Sequence, residues 1–227
     1  MSVSVLSPRL LLCADLIPEG AYLADVGTDH AYLVIHLLRT GKIRRAVCSD
    51  INEGPLRRAK SNVGEAGLLE FVDFCLTDGA EELSRMGVDA YSICGMGGEL
   101  IADIIARAPE LKSEGVSLTL QPMTRHESLR EFLWKSGFEI QREGYCREGG
   151  RYYTAWLVKY TGRVCDFTAA EAYFGRHQEN PEALGSEELS YIRARARILA
   201  SVIDGKKKGG EDTSSEEEIL SSAKIYL

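Results

Sequence analysis

Four short stretches carry side chains suited to binding a ligand. DVGTDHAYL (25–33) places Gly27, Asp29 and His30 directly behind a short apolar run. Asp50 closes a second run, with Asn52 two residues on. Asp78-Gly79 follows a third run and Gly95-Met96-Gly97-Gly98 a fourth. A glycine lets backbone approach a ligand closely. An acid about 20 residues beyond such a glycine accepts hydrogen bonds from ribose hydroxyls, and Asp50 stands at that spacing from Gly27. Asp78 is placed to meet the exocyclic amine of an adenine. The plainer readings are a strand-end acid, an ordinary Asp-Gly turn and a tight glycine turn.

Charge narrows the ligand. A pyrophosphate calls for bare amides and a glycine-rich helix start, and Asp29 would repel it. A ligand with a positive centre, a ribose and an adenine suits the loop better, which favours S-adenosylmethionine over a dinucleotide. His30 reads either as a base or as a packing residue at a helix start. There is no Ser-His-Asp arrangement, metal-ligand cluster or phosphate-binding Walker loop in the pattern, and Cys94 reads as a structural thiol.

The elements that must hold these residues alternate. Helices are expected at 8–16, 30–40, 54–66, around 79–86, and at 99–107 and 125–136, the last capped by Thr124 with Glu127. Short apolar strands are expected at 21–26, 45–50, 71–78, 88–94 and 116–123. FEIQREGYCRE and RYYTAWLVKY, joined at Gly149-Gly150, read as a terminal hairpin. Five strand–helix alternations imply a parallel sheet covered on both faces. Ligands bind such sheets beyond the carboxyl ends of the strands, where all four stretches fall.

The pattern changes after residue 160. Thr168 and Glu171 form a capping box. Leu189, Ile192, Ala196, Leu199 and Ile203 recur at heptad spacing. Residues 205–215 read as a polar linker or turn, and Ser215 with Glu218 as another capping box. The expectation is an antiparallel helical hairpin at 161–227, appended to an α/β domain at 1–160.

The 227 residues hold 34 acids and 27 bases, a mild acidic excess that argues against a dedicated nucleic-acid module but allows local patches. Six scattered cysteines show no C-x-x-C spacing and suit a reduced, cytoplasmic setting. No signal peptide or membrane span is expected. Basic residues gather near the same sheet edge, among them Arg58, Arg125 and Arg130, and along the tail at Arg193, Arg195, Arg197 and Lys206–Lys208. They would contact phosphates if the acceptor were a folded RNA.

DVGTDHAYL, INEGPLRRA, TDGAEEL, ICGMGGELI and LQPM, in that order, resemble the bacterial tRNA (adenine-22-N1)-methyltransferase family across roughly residues 8–160. The chain departs from the family pattern at Val34, usually proline, and at Asp50, usually glutamate. The resemblance implies a Rossmann-like class I methyltransferase sheet, mostly parallel with an antiparallel terminal hairpin, and a small C-terminal helical, coiled-coil-like domain. It implies S-adenosylmethionine as donor, held by Gly27, Asp29, His30, Asp50, Asn52, Asp78, Gly79 and Gly95. It puts Met96, Gly97 and Gly98 beside the target base, with Arg125 and Arg130 toward the RNA. Adenine N1 has its own lone pair, so no base is required, and Asp29 is the expected catalytic carboxylate. A cytoplasmic monomer acting on tRNA, without metal, is the expectation. Another RNA or a small-molecule acceptor, a non-catalytic RNA-binding module and a nicotinamide-dependent oxidoreductase are the competing readings.

Overall fold

The computed structural model describes residues 6–177 and 181–227. Its centre is a seven-stranded sheet. The strands are β1 (Ala21–Val26), β2 (Ile43–Asp50), β3 (Val72–Leu76), β4 (Ala90–Gly97), β5 (Ser117–Thr124), β6 (Phe138–Glu148) and β7 (Arg151–Tyr160). They lie in the order β3-β2-β1-β4-β5-β7-β6. β1 to β5 are parallel; β7 runs antiparallel to β5, and β6 to β7. The order reverses between β1 and β4, which opens a crevice at the carboxyl edge there.

Pleat alternation sorts the strand side chains into two cores. Leu23, Ala46, Cys48 and Ala90 pack under α1 (Pro8–Leu16), α2 (Tyr32–Arg39) and α3 (Glu53–Glu65). Ala24, Val26, Val47, Ile93 and Leu120 pack under α4 (Gly98–Arg107) and α5 (His126–Lys135). Each buried Leu, Ile or Val contributes about 1.5–3 kcal/mol, so both faces are firmly anchored. α1 starts where the spacing predicts because Pro8 suits a first turn and the Ser7 hydroxyl accepts from the Leu10 amide.

The tail has its own core. α6 (Ala169–Phe174) carries the expected Thr168–Glu171 capping box. α7 (Ser186–Lys208) buries Tyr191, Ile192, Ala196, Leu199 and Ile203, and α8 (Ser214–Ser222) folds back along it. Leu189, the first seam residue, is half-buried. Tyr145 and Tyr152 of the β6–β7 hairpin join this cluster.

Three expectations are corrected. The linker or turn expected at 205–215 is confined to 209–213: α7 runs through Gly205 to Lys208, held by Lys206–Glu216 and Lys207–Glu217 ion pairs to α8 and by Lys208–Asp204. Those lysines also suit the negative end of the helix dipole. Thr124 caps nothing; it ends β5, Arg125 takes the N-cap position in a left-handed conformation at φ 53°, and Glu127 pairs with Arg195 instead. The Ser215–Glu218 box is also absent, because α8 begins two residues earlier than that box requires, at Ser214 behind Thr213.

Candidate active site

The β1–α2 loop builds one wall of the crevice. Gly27 sits at φ 77°, a left-handed conformation that side chains disfavour. The Gly27 and Thr28 amides both donate to the Ser49 carbonyl at 2.8 Å. They pin the loop to β2 and leave those amides unavailable to a phosphate. Beneath the loop Asp25 is buried, and its Oδ2 accepts from the Thr28 hydroxyl at 2.6 Å. Burial raises its pKa, against the hydrogen bonds from Thr28 and Ser92.

The loop opens into a cavity of about 410 Å³ whose lining includes Arg9, Asp25, Gly27, Asp29, His30, Tyr32 and Gly95. Asp29 is exposed and partnered: Arg58 donates to it at 2.6 and 3.2 Å, and His30 Nε2 lies 3.1 Å away. The Arg58 hydrogen bonds hold its carboxyl below the usual range, so it is a fixed anion already paired with a cation. His30 stacks on Tyr32 at 5.1 Å.

Asp50 and Asn52, and Asp78 and Gly79, lie on the next strand ends, outside the cavity's immediate wall. Asp50 accepts from the Asn52 amide at 2.8 Å. Both oxygens of Asp78 accept from Arg107, at 3.0 and 3.3 Å, and this guanidinium lowers its pKa.

The glycine run after β4 meets the first loop. A Cβ on Gly27 would fall 2.2 Å from Met96 Cε, so Met96 closes over Gly27. The Gly95 amide donates to Gln121 Oε1 at 3.1 Å, and Arg9 Nη1 donates to the same oxygen at 2.8 Å. Gly97 faces the Thr124 hydroxyl. Gly98 is buried, and a Cβ there would meet the Arg125 carbonyl at 2.2 Å. Its small size therefore serves the join between α4 and the β5–α5 turn.

Arg125 is exposed, 3.6 Å from Glu99. Arg130 is not at the surface, contrary to its expected place toward the RNA. It is fully buried, pairs with Glu143 at 2.5 Å, donates to the Ala172 and Tyr173 carbonyls, and lies over the Trp156 ring at 4.5 Å. Burial opposes its charge, but Glu143 outweighs that and raises its pKa.

Sequence reading missed Asp25, Arg9 and Gln121. Asp25 had a signal, an acid inside an apolar strand. Arg9 had a weaker one, a charge breaking the first helix's apolar run. Gln121, fully buried on β5, stood in the LQPM stretch at that strand's carboxyl end but was given no role.

Among the described residues no helix is long and apolar enough to cross a membrane, no His/Cys/Asp/Glu group could hold a metal, and the cysteines are free thiols.

Known proteins match this geometry. A family model described as a methyltransferase domain matches residues 6–155. A tRNA (adenine(22)-N(1))-methyltransferase of Bacillus subtilis is 36% identical over 154 residues, 68% of this chain, and the match spans 65% of that relative's length. A solved Streptococcus agalactiae protein of the NADB-Rossmann superfamily superposes with TM-score 0.84 at 32% identity, covering 98% of this chain and 97% of its own. A candidate tRNA (m1A22) methyltransferase of Streptococcus pneumoniae, solved with S-adenosyl-L-methionine, superposes with TM-score 0.78 at 31% identity, covering 95% of this chain and 100% of its own. A glycine loop pinned to β2, strand-end acids and the β1–β4 crevice all lie inside the matched region: the chain belongs to the methyltransferase-domain family.

Proposed function

We propose that this protein transfers a methyl group from S-adenosylmethionine to N1 of an adenine in tRNA, at position 22. The carrying observation is the cavity at the β1–β4 switch point, which Asp25 and Asp29 help to line and whose Gly27 and Thr28 amides are already spent on Ser49. Such a site suits a cationic nucleoside better than a pyrophosphate, which weighs against the oxidoreductase reading. The volume fits a small-molecule site. The Bacillus subtilis relative's activity and the donor in the Streptococcus pneumoniae structure support the same reading.

The donor supplies an activated methyl group on a positively charged sulfur. Gly27, Asp29, His30 and Gly95 would hold it, with Asp50 and Asn52 toward the ribose and Asp78 and Gly79 toward the adenine. Asp78 keeps free acceptor capacity for that contact beside Arg107, since each of its oxygens accepts only one of the Arg107 hydrogen bonds. Met96 and Gly97 stand between donor and target, and Arg125 borders the acceptor's approach. The ring nitrogen methylated carries its own lone pair, so no side chain need remove a proton. The chain's tasks are near-attack positioning, water exclusion by Met96 over Gly27, and a negative carboxylate, Asp29, beside a product that gains positive charge. N1 is hidden in a paired duplex, so the base must be unpaired or flipped.

The chain then divides into a donor-binding part, 1–160, and a helical part, 161–227, that shapes the acceptor side. A cytoplasmic monomer fits this reading. Incubating the protein with methyl-labelled S-adenosylmethionine and unmodified tRNA transcripts, then digesting the RNA, tests it. Label in 1-methyladenosine is expected. Donor binding without transfer to any tRNA would move the acceptor to another RNA or a small molecule.

A further inference from the structure

A second groove, of about 590 Å³, lies between the β5–α5 turn, the tip of the β6–β7 hairpin and α7. Its wall at Met123–Arg125 continues the strand end that pairs with the glycine run: Met96 lies opposite Pro122 and Gly97 opposite Thr124. Arg9 joins the two spaces. It lines the donor cavity and sits 6.0 Å from the ring centroid of Tyr153, which lines the groove.

The lining chemistry is one-sided. Four arginines border the groove, Arg125, Arg151, Arg195 and Arg197, and no Asp or Glu lines it, though Glu99 and Glu127 pair with Arg125 and Arg195 from outside the lining. Arg151 and Arg197 are exposed and have no ion-pair partner among the described residues, in a chain whose acids outnumber its bases. Lys206, Lys207 and Lys208, by contrast, are all spent on acids of the tail itself. Tyr152 and Tyr153 bring half-buried rings to the same wall. His126 lines it too, 8% exposed, with its Nδ1 lacking any hydrogen-bond partner.

Guanidiniums beside aromatic rings, with no acid in the lining, fit single-stranded nucleic acid. Phosphates take the guanidiniums, and bases stack on ring faces without a sequence requirement. A protein partner would leave unpaired guanidiniums facing apolar surface unless it were strongly acidic.

We propose that this groove binds the unpaired nucleotides flanking the target base of the acceptor RNA, with Arg151 and Arg197 taking phosphates and Tyr153 stacking a base. The proposal rests on the RNA-methyltransferase reading and places the helical tail in direct contact with the substrate strand.

The test uses the full chain with the double substitution Arg151→Glu and Arg197→Glu. Arg163→Glu, beyond the end of β7 at the opposite edge of the sheet, is the charge control. Binding of unmodified tRNA transcripts is measured against salt, and donor binding by calorimetry. The double variant is expected to lose at least about tenfold in tRNA affinity, with a salt dependence shallower by about two phosphate contacts. Its donor affinity stays unchanged. Tyr153→Phe keeps RNA affinity and Tyr153→Ala loses it. Unchanged affinity in the double variant, or an equal loss in Arg163→Glu, would overturn the groove while leaving methyl transfer by the parent chain untouched. If the parent chain transfers no methyl, the same loss of tRNA binding in the double variant still supports the groove and counts against the enzymatic reading alone.

Discussion

Asp29 and His126 show how environment sets what a side chain can do. Asp29 is exposed and gripped by Arg58, so it is ionised throughout the working range and contributes little to stability. Replacing it with Ala should lower methyl transfer about a hundredfold, the scale of losing one preorganised electrostatic contact. The thermal midpoint should stay put, and near-normal turnover would remove Asp29 from the mechanism. His126 is the opposite case. Burial first, then Arg195 and Arg130, push its pKa down to about 3, against about 6.5 in the unfolded chain. Between those values only the unfolded chain binds the proton. Stability is therefore lost as pH falls below about 6.5, by about 1.4 kcal/mol per pH unit, with the slope ending near 3. Denaturant titrations at stepped pH, for the parent and His126→Gln, check this: the parent should lose stability relative to the variant as pH falls, and parallel curves would refute it. The acids at the strand ends were visible in the sequence because each follows an apolar run. Their pairing with Arg58 and Arg107 was not, because both partners sit 29 residues away along the chain.

Among the elements, the strands and the Gly149-Gly150 turn were legible because pleat alternation and turn chemistry are local. The starts of helices were less so. Thr124 and Glu127 have capping-box spacing, yet Arg125 turns left-handed between them, and Glu127 is drawn to Arg195 across the fold. Gly98 makes room for this turn, because its missing side chain lets the Arg125 carbonyl come against the start of α4. Gly98→Ala should therefore shift the β5–α5 turn and cost about 1–3 kcal/mol, as overpacking does. Chemical denaturation would read the loss, and an unchanged midpoint would show that the turn can yield.

At the scale of the molecule, the boundary near residue 160 follows a change of hydrophobic pattern, and the separate tail core agrees with it. What the pattern hid is the bolt across it. Arg130 looked like a surface base on an amphipathic helix; it instead reaches through the hairpin to Glu143 and to the α6 carbonyls. Breaking a buried pair by removing one partner costs about 3–5 kcal/mol. Glu143→Gln should lose stability on that scale, and the parent chain should unfold in a single transition by both fluorescence and circular dichroism. Two separated transitions would show that the parts are independent.

Arg9 belongs to two walls at once, hydrogen-bonded to Gln121 on the donor side and set over Tyr153 on the other. One guanidinium cannot adjust to a guest in either space without the other sensing it. The two occupancies then share a coupling free energy, and any factor by which donor sharpens RNA affinity must equal the factor by which RNA sharpens donor affinity. Arg9→Ala should bring both factors to one together, leaving two sites that no longer hear each other.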